Sequence, residues 1–179
     1  MRRAASLLML VVLAGVSVRA RADGEWVLEA STIAYHVSHP LHDTDGISHA
    51  ARGKAVCKGG QCDVLVAAPV KSFDSGDSNR DVHMLQTVQG AQFPLVTVRF
   101  RVPESAAAEI RCDLEIELAG RTARYKDVAF QASVNGSTET ISGTIPATLS
   151  DFKIPPPSLL AVGVKNEMPV KVETTWRRK

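Results

Sequence analysis

The chain has 179 residues, with 21 basic, 19 acidic and five histidine side chains, and 45% of its residues are hydrophobic. The first 22 residues hold four of the basic groups, Arg2, Arg3, Arg19 and Arg21, and no acid, which leaves 17 basic against 19 acidic side chains in the remaining 157. That balance offers no basic face for phosphates and so speaks against a nucleic-acid partner, while the length suits one domain with a sizeable core.

Residues 1–22 read as a secretory signal peptide. Arg2 and Arg3 form a positive start, Leu7 to Val16 is an almost unbroken apolar run, and Ala20-Arg21-Ala22 is an A-x-A site that predicts cleavage before Asp23. The apolar run is too short for a stable bilayer anchor. The motif around the paired arginines is poor for the twin-arginine route, so ordinary secretion is expected. Residues 23–179 then form one domain in the periplasm or outside the cell, which permits disulfides.

The stretch YHVSHPLHDTDGIS, residues 35–48, concentrates three histidines and two aspartates, residue types that often bind metal. As a strand it puts Ile33, Tyr35, Val37 and His39 on one face and His36 on the other. Pro40 should end regular pairing, with His42 and Asp43 past a bend and Gly46 providing a turn. His39 and His42 could meet through that bend with the distant His83, but a structural zinc wants four well-placed ligands. Farther on, Cys57 and Cys62 flank KGGQ at an expected tight turn. Export favours a local disulfide across that hairpin, since no second Cys or His pair lies nearby to complete a metal site.

The segment SNRDVHMLQTVQG departs from strand patterning. Val82, Leu85 and Val88 recur at helical spacing, Ser78 or Asp77 can cap the start, Asp81 holds the capping-box position, and Gly90 can end the helix. Arg80 is suited equally to an ion pair and to holding an anion. After it, alternation dominates: Val96, Val98, Phe100 and Val102; Ile110, Cys112, Leu114, Ile116 and Leu118; Val128, Phe130, Ala132 and Val134; Ile141, Gly143, Ile145, Ala147 and Leu149; Met168, Val170, Val172 and Trp176. Period two with a polar opposite face means half-buried antiparallel strands, about eight at hairpin spacing, as in a sandwich or closed barrel. Cys112 falls on an apolar face, as a buried free thiol. The prolines of IPPPSLLAVG make that stretch a loop.

No G-x-S-x-G elbow, dinucleotide loop or phosphate loop appears, so an enzyme is not expected. No cofactor is expected either.

NRDVHML followed by FPLVTVRF resembles the R-D-x-H helix start and later aromatic-Pro strand of the YceI family, secreted bacterial proteins that bind lipids or polyisoprenoids. LAG followed by Arg-Thr is similar to that family's L-x-G-x-T hairpin, and the resemblance runs from about Trp26 to Trp176. It implies a lipocalin-like antiparallel barrel holding an isoprenoid, quinone or fatty-acyl chain. The inward residues Tyr35, Val37, Phe73, Val98, Phe100, Leu114, Ile116 and Phe130 would line the interior. His39, Arg80 and His83 would meet a headgroup, since a helix N-terminus and an arginine suit an anion. Transient membrane contact and a homodimer through an edge strand fit the same picture. The chain departs from the pattern at LSDFKIPPPSLL, where Leu149 and Lys153 replace a basic residue and a glycine, and at VQGAQF, which replaces paired phenylalanines. Alternating Val, Ile, Phe and Leu serve a packed core as well as a tunnel. Two further readings therefore stay open: a filled-barrel interaction or stress-response domain, and a metal protein using His39, His42 and His83.

Overall fold

The computed structural model describes residues 23–104, 108–159 and 162–179, so the expected signal peptide lies outside the described residues. Its strands are β1 (Gly24–His39), β2 (His42–Ser48), β3 (Arg52–Lys58), β4 (Gln61–Pro69), β5 (Leu95–Pro103), β6 (Glu109–Leu118), β7 (Arg121–Asn135), β8 (Thr138–Ile145), β9 (Ser158–Leu159), β10 (Val162–Gly163) and β11 (Val170–Arg178). One helix, α1 (Ser78–Thr87), follows β4. The sheet runs β11-β8-β7-β6-β5-β4-β3-β1, and β11 pairs back onto β1, which closes an eight-stranded antiparallel barrel. β2 is a ninth strand. β1 pairs with β3 at Gly24–Val27 and with β2 at Ile33–His39, so one long strand serves two neighbours along the same edge.

Two bulges set which side chains point inward. On β1 the register against β11 shifts between Leu28 and Ala30. The extra residue moves the inward set from Trp26 and Leu28 to Ser31 and Ile33, then Tyr35, Val37 and His39. On β7 the register against β6 shifts between Cys112 and Leu114, where Asp127 takes φ +53°. Tyr125 therefore faces in with Val128 and Phe130 despite the odd spacing. The alternating residues expected in β5, β6 and β11 form a buried to half-buried wall, whereas Val134 emerges at the end of β7.

Turn chemistry follows the residues. Gly59 and Gly60, at φ +58° and +80°, make the two-residue β3–β4 turn whose backbone matches strand twist. Cys57 faces Cys62 across that hairpin and the two are joined in the expected disulfide, with Cα atoms 3.9 Å apart. Cys112 is the buried free cysteine.

Several expectations are corrected. The bend falls at Pro40 and Leu41 as expected, and it is a tight turn that pairs His39 with His42, with HDTDGIS continuing as a strand. Gly46 is not in a turn. It lies opposite Tyr35 in mid-strand, and a Cβ there would sit 2.3 Å from the Tyr35 ring. The helix is capped by Asp77, whose carboxylate accepts from the N–H groups of Asn79 and Arg80. Asp81 instead reaches back to accept from the backbone and hydroxyl of Ser75. Arg80 makes no carboxylate pair among the described residues and donates to the Ser75 carbonyl at 3.0 Å. Val82, 52% exposed, faces solvent, and the helix packs through Met84, Leu85 and Val88. Past the helix, the left-handed residue is Gln89 rather than Gly90. β8 stops at Ile145 because Pro146 has no N–H to donate, although Ala147 and Leu149 remain buried beyond it. The proline loop holds one small hairpin, β9–β10.

Candidate functional site: an apolar cavity with polar ends

The barrel interior is hollow. A cavity of about 500 Å³ runs through it, a size that accommodates a small ligand. Its middle is hydrocarbon and ring: Val98 and Phe100 of β5, Leu114 and Ile116 of β6, Phe130 of β7 and Val172 of β11. Strand alternation places them there, since each is an inward position of a strand whose outer face carries charges such as Arg99, Arg101 and Glu115.

One end is the mouth. There the β1–β2 hairpin, α1 and the segment after β8 meet. Tyr35, Val37, His39 and Phe73 line it together with Arg80 and His83 from α1. The Tyr35 and Phe73 rings sit 5.7 Å apart, tilted at 42°. Burial pushes the Tyr35 hydroxyl pKa up, and the Asp81 charge adds to the rise, so this phenol stays protonated as a donor. The rings of His39 and His42 lie 5.4 Å apart, and the His39 Nδ1 accepts from the Leu41 N–H. His36 points outward, 2.8 Å from Asp45.

All eleven residues singled out for ligand contact therefore line one cavity. The three histidines of the metal reading do not gather. Among the described residues, the one group of three whose ligand atoms converge is Cys57, Cys62 and Glu104, and both of its sulfurs are used in the disulfide.

Sequence reasoning missed the opposite end. Glu104, Glu139 and Thr174 line it beside Trp26 and Trp176. The Glu104 side chain is only 3% exposed, and Arg178 stands 3.3 Å from its Oε1. Thr174 accepts from the Trp176 indole and donates to the Ile141 carbonyl. A signal existed for Glu139. It precedes Ile141, Gly143 and Ile145 at the same parity, so the alternation that put those residues inside puts Glu139 inside too. Met84 and Thr87 of α1 were also missed, because a helix lid presents a mixed face that apolar periodicity does not mark.

A closed antiparallel barrel around a mostly hydrocarbon cavity with polar groups at its ends defines a binding barrel suited to an apolar guest. The chain belongs to the YceI-like domain family, whose sequence model matches residues 26–176. Among solved structures, it is similar to a polyisoprenoid binding domain from Saccharophagus degradans implicated in plant cell wall breakdown, at 14% identity and TM-score 0.70, over 86% of this chain and 98% of that one. It is similar to BcnA of Burkholderia cenocepacia at 16% identity and TM-score 0.69, over 81% and 95% of the two chains. A Campylobacter jejuni YCEI protein aligns at 14% identity and TM-score 0.51, over 65% and 72%. At these identities the likeness shows the shared fold. No curated protein matches the chain.

Proposed function

We propose that this protein is a lipid carrier that holds the chain of an isoprenoid, quinone or fatty-acyl amphiphile inside its barrel. The observation that carries the reading is the hydrocarbon-walled cavity of about 500 Å³, continuous from the α1 mouth to the tryptophan end. Removing a chain from water supplies roughly 25 cal/mol per Å² of apolar surface before ordering costs. The similar Saccharophagus degradans domain is described as polyisoprenoid binding, which supports the same class of guest here. The mouth groups Arg80, His83 and Tyr35 offer donors to the guest's outer end.

Residues 1–22 direct the chain to the periplasm in this reading, where a carrier must load from and deliver to membranes. Leu41, 66% exposed at the tip of the β1–β2 hairpin beside the mouth, supplies an apolar contact for that step. No chemical step is assigned. Mass spectrometry of the protein purified from its own periplasm, native and after organic extraction, tests the proposal. A stoichiometric long-chain lipid is the expected result; a bare chain, even after incubation with lipid extract, would overturn it.

A further inference from the structure

The tryptophan end of the cavity carries a buried carboxylate that the barrel wall satisfies only in part. Glu104 leaves β5 after Pro103, and its N–H donates to the Gly60 carbonyl at 2.8 Å, which fixes the residue against the β3–β4 turn. Its side chain lines the cavity and is almost wholly buried, yet among the described residues neither carboxylate oxygen receives a hydrogen bond. The nearest cation, Arg178, is 3.3 Å from Oε1 and leaves Oε2 without a donor. The Cys57 and Cys62 sulfurs, within 4.8 Å, have no proton to give. As the acid half of an ion pair, Glu104 is an acceptor only. A buried acceptor without a donor is costly and persists where something else supplies the donor. Glu139 faces the same end. A carboxylate oxygen without a donor favours a donor or cation and disfavours an anion.

We infer that the tryptophan end of the cavity receives a hydrogen-bond donor at the inner end of the bound chain, a hydroxyl or an amine, with Glu104 as its acceptor. The inference rests on the carrier reading and deepens it: the guest is an amphiphile with an O–H or N–H group buried among Trp26, Trp176 and Glu104, not a fatty acid entering carboxylate first. Selectivity then comes from the end remote from the mouth.

Four probes of equal chain length test this on the full mature chain: hexadecanol, hexadecylamine, hexadecanoic acid and hexadecane, each by displacement of a fluorescent lipid. Hexadecanol and hexadecylamine should bind at least about tenfold more tightly than hexadecane, the ratio expected for one hydrogen bond to a charged group. Hexadecanoic acid can place its carboxylate only at the mouth donors, so Glu104→Leu should leave its affinity unchanged. Glu104→Leu should erase the preference while hexadecane still binds, which reports an intact cavity. Glu104→Gln should keep hexadecanol and lose most of the advantage of the amine. Glu109→Gln on the outer face should change nothing. Equal binding of hexadecanol and hexadecane, or an unaltered preference in Glu104→Leu, overturns the inference and leaves the carrier reading standing. Failure of all four probes to bind, hexadecane included, overturns both.

Discussion

The Tyr35 ring lies flat across Gly46 on the neighbouring strand, so close that any side chain at Gly46 would occupy the space of the ring. Tyr35 in turn packs against Phe73 at the cavity mouth. Gly46→Ala should therefore displace both rings rather than merely fill space. A stability loss of about 1–3 kcal/mol is expected, as for overpacked sites, read by urea denaturation. Lipid affinity should fall with it, because Tyr35 and Phe73 shape the entrance.

Leu114 sits on β6 at mid-cavity, 2% exposed, with open volume in front of it. Leu114→Trp should fill that volume from a rigid strand while the barrel still folds. Circular dichroism should be unchanged and binding of long-chain probes should drop by at least about tenfold, the loss of roughly two buried methylene groups. Undiminished binding would place the guest elsewhere.

Asp77 caps α1 through two backbone N–H groups, which hold its carboxyl below the usual carboxylate range. A lowered folded-state pKa stabilises the ionised cap above the unfolded carboxylate value, and that contribution is lost as pH falls through the folded value. Asp77→Ala should speed hydrogen exchange across the first turn of α1 at neutral pH. Asp77→Asn should retain the cap and abolish its dependence on acid pH. Exchange at α1 identical in all three proteins would show that the cap is not what holds the mouth residue Arg80 in place.

Cys112 is buried on β6, and desolvation with the adjacent Asp113 charge pushes its thiol up to about 11. The thiolate is the reactive form, so a thiol reagent at pH 8 should leave the folded protein essentially unlabelled. In denaturant one thiol per chain should react promptly, and three after reduction of the Cys57–Cys62 bond. Rapid labelling of folded protein would mean that β6 opens or that the thiol is not shielded.

Leu41→Asp should leave binding of dispersed probes unchanged and slow lipid pick-up from vesicles, measured by stopped-flow transfer. The substitution places a charge at an exposed hairpin tip, away from the cavity wall, where folding is little affected. Equal transfer rates would remove the hairpin from the loading step.

Period two in the late strands was enough to place Val98, Phe100, Leu114, Ile116 and Phe130 on the inner face of a sandwich or barrel, because each strand has one buried and one charged face. The first strand was legible only from Ile33 onward. The bulge at Leu28/Ala30 resets parity, and no residue type announces it. In the β1–β2 hairpin Pro40 marked the bend, but Gly46 was misread because glycine is a turn residue by composition. Here the turn falls at Pro40-Leu41, and Gly46 answers a steric demand from a ring eleven residues earlier in the chain. Whether the interior was hollow could not be read at all: Val, Ile and Phe fill a core or line a tunnel equally well, and only how the side chains share the space inside the ring decides. The acidic end was half legible. Glu139 obeys the alternation, but Glu104 lies past the last strand residue, where periodicity stops.

Both tryptophans of the chain, Trp26 and Trp176, stand at the buried end, with the Arg178 guanidinium 5.9 Å from the Trp26 ring. Intrinsic fluorescence is thus a local gauge built into the molecule. A guest that reaches the floor of the barrel will change the emission, whereas one that stops at the entrance will leave it dark to the event. Depth of penetration becomes an optical reading that needs no label.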